Sequence, residues 1–102
     1  MAKFVYLYSG GKMAETPEEG ERLMQVWGAW FGTLGDAVVD MGNPFGASGK
    51  LTSSGAAGAG TLGLGGYSII TADSLDDATK KADGCPVLSS GGAVEIYEAI
   101  DM

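Results

Sequence analysis

Histidine is absent from this chain of 102 residues. That absence excludes the Ser-His-Asp and Cys-His arrangements of nucleophilic catalysis, and with them the usual zinc and iron ligand sets. It also removes the one side chain that titrates near neutral pH without help from its surroundings. There is a single cysteine, so no internal disulfide framework can form and a reducing, cytoplasmic compartment is expected. Cations are few: 6 Lys and Arg stand against 13 Asp and Glu, a net charge of −7. Phosphate backbones and anionic lipid surfaces need clustered cations, so neither nucleic acid nor membrane is expected as a partner. No apolar run approaches the ~20 residues of a membrane span. Met1 to Gly10 holds one Lys and too short an apolar run for a secretory signal.

What remains is enough for one core. Hydrophobic residues make up 45%, and a chain of this length folds as a single domain, here residues 1–102. The clearest local signal lies at Gly66–Ala82. Tyr67–Thr71 is a β-branched and aromatic run that suits a pleated surface. Asp73 or Ser74 then offers a side-chain oxygen to cap a helix. Asp76 and Asp77 sit in its first turn and Lys80 and Lys81 in its last, matching the helix dipole at both ends. Leu75, Ala78 and Ala82 form its inward stripe, and Gly84 supplies the stop.

The other elements read in order. Phe4–Ser9 alternates as a strand, with Phe4, Tyr6 and Tyr8 on one face and Val5 and Leu7 on the other. Lys12–Glu15 is a loop. Thr16, Pro17 and Glu19 spell a helix start. Leu23, Val26, Trp27, Trp30, Phe31 and Leu34 recur three or four apart as its apolar stripe, and Gly35 is its stop. Gly28 and Gly32 are read as places of close helix-to-sheet packing. Asp36–Met41 is a second strand, Gly42–Gly46 a turn, and Lys50–Ser53 either resumes that strand or forms a short one of its own. Within the Gly-rich segment 42–66, Ser54–Gly60 is expected to be a mobile hairpin loop. Ala93–Ile100 closes the chain as a strand, with Val94 and Ile96 on one face and Glu95 and Tyr97 on the other.

This order predicts an α+β fold of the ferredoxin-like βαββαβ kind, a four-stranded antiparallel sheet with both helices on one face. Val5 and Leu7 are expected to meet the helices. Phe4, Tyr6 and Tyr8 are expected to line the open face, which a second copy of the chain would cover in a homodimer.

Most motif matches dissolve on inspection. Gly58-Ala59-Gly60-Thr61-Leu62-Gly63 fits the dinucleotide pattern, but it precedes a strand instead of joining a strand to a helix. Gly49-Lys50 and Gly11-Lys12 lack the Ser or Thr that would hold magnesium. The RNP patterns of an RNA-recognition domain are missing. No cofactor or metal site is expected. Cys85, before Pro86 and with no imidazole to activate it, reads as a buried structural thiol. Asp40 ends a strand beside Gly42-Asn43-Pro44. There it is either a general base raised by burial or an acceptor for turn N–H groups. Trp27 and Trp30 are either core or the wall of an apolar pocket. Trp27, Trp30, Asp40, Asn43 and Tyr8 are therefore the candidate ligand-binding residues. Asp40 is the one candidate catalytic group, with Asn43 or a tyrosine as its hydrogen-bonding partner.

Several of these stretches together resemble the YCII-related family, also called the DGPF family. They are Trp27–Asp36, Val38–Pro44, Gly66–Ile70, Asp73–Ala78, Gly84–Pro86 and Val94–Tyr97. The resemblance implies a ferredoxin-like homodimer of the dimeric α+β barrel kind. Some members of that family are given acid-base chemistry on a His-Asp pair, which a chain without histidine cannot supply. Three functions are thus weighed from the residues, one of them a purely structural or interaction domain and the other two involving a ligand. One is a small protein that binds a small molecule in a pocket of a homodimer. The other is a lyase or isomerase with Asp40 as base.

Overall fold

A computed structural model describes residues 1–11 and 14–102. The loop expected at Lys12 and Met13 therefore falls outside the described residues. Strand β1 (Ala2–Ser9) leads to helix α1 (Pro17–Leu34) and a 3-10 turn at Gly35–Ala37. Then come β2 (Val38–Asp40), the short pair β3 (Leu51–Thr52) and β4 (Gly55–Ala56), and the long β5 (Leu64–Ala72). Helix α2 (Leu75–Ala82), a one-turn helix α3 (Pro86–Ser89) and β6 (Ala93–Ala99) complete the chain. The main sheet runs in the order β2-β5-β1-β6, with every neighbouring pair antiparallel. This is an α+β fold with a four-stranded antiparallel sheet, compatible with the ferredoxin-like plan. No helix of the described residues is long and apolar enough to cross a membrane.

The helix ends follow the expected chemistry. Thr16 Oγ1 accepts from the Glu19 N–H at 3.1 Å. Gly35, at φ 57°, closes α1 by donating its N–H to the Phe31 carbonyl. Ser74 is the cap of α2 and accepts from the Asp77 N–H at 3.0 Å, while Asp77 reaches back to the N–H of Asp73, also at 3.0 Å. That reciprocal pair satisfies two N–H groups that the helix cannot bond internally. Lys81 holds Asp77 at 2.9 Å, whereas Lys80 and Asp76 stand 3.9 Å apart in solvent and add little.

One expectation is reversed. Phe4, Tyr6 and Tyr8 face the helices and are buried, while Val5 and Leu7 lie on the opposite face. The register explains the choice. Phe4 pairs with Ile70, Tyr6 with Ser68 and Tyr8 with Gly66, so each large ring of β1 lies beside a smaller residue of β5. The helix side is filled by this large-beside-small interlock. Tyr6 also finds a partner there, because its hydroxyl donates to the Ala78 carbonyl of α2 at 2.5 Å. Ala78 and Ala82 are small enough to let α2 approach that closely. Alternation separated the two faces of β1 but carried no label for which one is inside.

The stripes are also narrower than expected. Val26 is 46% exposed and Leu75 54% exposed. Gly28 and Gly32 are exposed, and an added Cβ at either would meet nothing within 4 Å. They are therefore not packing glycines. Lys50–Ser53 forms a separate strand: β3 pairs only with β4, and the ladder is extended by bonds between Lys50 and Ala57 and between Lys50 and Gly58. The short α3 was not anticipated.

A candidate ligand cavity beneath the first helix

Helix α1 meets the sheet through its large side chains. Its C-terminal half is packed through an aromatic cluster. Trp30 is buried and lies 4.9 Å from Phe31, 5.8 Å from Trp27 and 6.1 Å from Tyr6, centroid to centroid. Trp27 in turn meets the edge of Tyr8 at 4.9 Å. These rings stand between the helix and the strands. Beneath its middle, from Leu23 to Phe31, the facing end of β5 carries only Gly65, Gly66 and Ser68 on or near the helix side. Nothing fills the gap, and a cavity of about 660 Å³ results.

Its roof is Leu23, Met24, Trp27, Gly28 and Phe31 of α1. Its floor is Tyr8 of β1 and Ser68 of β5, and its sides are the Met41–Pro44 turn, Gly10–Gly11, and Val87 and Ser90 around α3. The turn is fixed by the backbone. Phe45 N–H donates to the Gly65 carbonyl at 2.8 Å and Tyr67 N–H to the Asn43 carbonyl at 3.3 Å. Gly66 must be small because the turn crosses it: a Cβ there would stand 3.1 Å from the Asn43 oxygen. A volume of this size, apolar and with few polar groups, has the character of a small-molecule site.

The polar groups form a short chain. Tyr8 Oη donates to Ser68 Oγ at 2.7 Å, and Ser68 Oγ donates to the Met41 carbonyl at 2.7 Å. Ser68 is completely buried. Burial raises the Tyr8 phenol well above its ordinary value, with the Ser68 contact opposing the rise. The phenol is thus neutral throughout the physiological range. Among the described residues the lining contains no Asp, Glu, Lys or Arg. Nor do the described residues contain a group of three or more His, Cys, Asp and Glu side chains placed to hold a metal ion.

The candidates read from the sequence divide at this cavity. Tyr8, Trp27 and Asn43 line it. Trp30 belongs to the core beside it, and its indole N–H is buried without a partner among the described residues. Asp40 is exposed and does not line the cavity. Its Oδ1 accepts from the Gly42 N–H at 2.8 Å, the turn-acceptor alternative, and its Oδ2 accepts from the Tyr67 hydroxyl at 3.3 Å. Tyr67 pairs with Leu7 on the helix-free face, and its ring stacks on Phe45.

Ser68, Phe31 and Val87 were missed as lining residues. A signal existed for Ser68, the one hydroxyl in the middle of the Tyr67–Ile70 run, in phase with the inward Ile70. Cys85 is buried as expected, and burial pushes its thiol up to about 11.

No protein-family model, curated protein or solved structure matches this chain.

Proposed function

We propose that this chain binds a small molecule in the cavity beneath α1 and does no chemistry on it. The observation that carries this reading is the pairing of a sizeable apolar cavity with a lining that has no acid-base pair among the described residues. Proton transfer needs a group that changes charge within reach of the reacting atom. The lining instead offers rings, aliphatic side chains, one neutral hydroxyl chain, the Ser90 hydroxyl and the Asn43 amide, which can enclose and orient a ligand. Asp40 has no place in the lining, so the lyase or isomerase alternative finds no support in it. A thermal-shift screen against uncharged metabolites tests the reading: a rise in Tm is expected, and no rise with any compound at millimolar concentration would overturn it.

The binding unit, on this reading, is a homodimer joined across the helix-free sheet face, in the manner of a dimeric α+β barrel. That face presents Val5, Leu7 and Ile69 in the middle, with Tyr97 53% exposed at the edge. Lys3 and Glu95 share it at different heights, an arrangement that a two-fold operation can make self-complementary. The residue-level likeness to the YCII-related family and the strand order support membership of that family. Sedimentation velocity at micromolar concentration checks the dimer, which a clean monomer would rule out. Leu7→Glu, aimed at the centre of the proposed interface, is expected to yield monomers that keep the cavity.

A further inference from the structure

We infer that the cavity selects an uncharged, largely aromatic ligand carrying a hydroxyl or N–H donor, and that Tyr8 Oη is the acceptor for it. This rests on the binding reading above and adds the class of ligand. Ser68 has one hydroxyl hydrogen, and it goes to the Met41 carbonyl. Tyr8 has one, and it goes to Ser68 Oγ. Both donors on the cavity floor are therefore spent, and what Tyr8 has left is acceptor capacity. On this floor a ligand group that can only accept finds no hydrogen, whereas a donor completes the chain ligand to Tyr8 to Ser68 to Met41; the Ser90 hydroxyl is turned to the Pro86 and Val87 carbonyls, and the Asn43 amide lies on the turn side of the cavity. Charge is selected against as well. A carboxylate or ammonium entering this cavity meets no counter-charge among the described lining residues and loses its water. The ring character follows from the walls: Trp27 and Phe31, 6.0 Å apart and tilted, offer faces and edges to a flat apolar body.

Three para-substituted biphenyls of nearly equal size make the test: the hydroxy, methoxy and carboxylate compounds, titrated by calorimetry into the full-length protein. The hydroxybiphenyl is expected to bind at least about tenfold tighter than the methoxy compound, which can accept but not donate. The carboxylate is expected to bind weakest. In Tyr8→Phe the hydroxy-to-methoxy ratio is expected to fall close to one. Ser68→Ala releases the Tyr8 hydrogen, and the preference is expected to shift toward the methoxy compound, so either variant alone suffices if the other does not fold. Equal binding of the hydroxy and methoxy compounds, or an unchanged ratio in the variants, would overturn the inference and leave the binding cavity standing. Binding of none of the three at millimolar concentration would overturn both.

Discussion

The Tyr6 hydroxyl of β1 donates to the Ala78 carbonyl of α2 at 2.5 Å, across 72 positions of sequence, with both residues fully buried. It joins the first strand to the second helix at the middle of the core. A neutral buried hydrogen bond contributes about 1 kcal/mol net, and more is lost when its partner stays buried without a replacement. Tyr6→Phe is expected to lower the stability by about 1–2 kcal/mol in urea unfolding, with no change in m. A change below about 0.3 kcal/mol would show that the Ala78 carbonyl finds another donor.

Gly42 is required by space as well as by backbone angle. It sits at φ 77°, and a Cβ would stand 1.7 Å from the Tyr67 carbonyl oxygen. Both obstacles are backbone and cannot rotate away. Gly42→Ala is expected to cost roughly 2–4 kcal/mol and to open the Met41–Pro44 wall of the cavity. Chemical denaturation measures the first effect, and loss of ligand-induced thermal shift the second.

Gly28 and Gly32 make the opposite case. Both lie within α1 at ordinary helical angles, and neither has an atom within 4 Å of the place a Cβ would take. Each Gly→Ala change is expected to stabilise the protein by about 0.5–1 kcal/mol. Only Gly28 lines the cavity. Gly28→Ala should therefore weaken ligand binding while raising Tm, and Gly32→Ala should raise Tm alone.

Alkaline pH should unfold the protein. Burial raises the Cys85 thiol from 9.0 to about 11 and raises the phenols of Tyr6 and Tyr8 above their ordinary value. In each case the folded state holds its proton more tightly than the unfolded chain. The stability they contribute is full below the unfolded values and is lost as pH rises past them. The thiol begins this loss near pH 9 and completes it near 11, and the phenols extend it above their ordinary 10.0. Thermal melts from pH 8 upward are expected to show a Tm that is flat and then falls. Cys85→Ala should move the onset of the fall to higher pH.

Much of the fold can be read locally. Capping by Thr16 and Ser74, the stop at Gly35, the strands of β1 and β5 and the acidic-to-basic order of α2 all depend on neighbours within four residues, and all stand as the residues imply. The site was legible only in part. Trp27, Tyr8 and Asn43 reach the cavity, whereas Asp40 turns to its own backbone and Trp30 into the core. A carboxylate at a strand end has two acceptable partners, and which one it takes depends on where the chain folds back.

The two long helices, the strands of the main sheet, their order and the lack of any imidazole are legible in the residues alone. These follow from local hydrogen bonding, periodicity and composition. Which face of β1 lies inside is set by tertiary packing, because alternation is symmetric and the choice depends on what lies opposite. There the small residues Gly66 and Ser68 of β5 accept the rings of Tyr8 and Tyr6. The same small residues, beside the aromatic cluster that lies between α1 and the sheet, line the cavity. Its volume is the mismatch between two elements far apart in the chain, and no single stretch encodes it.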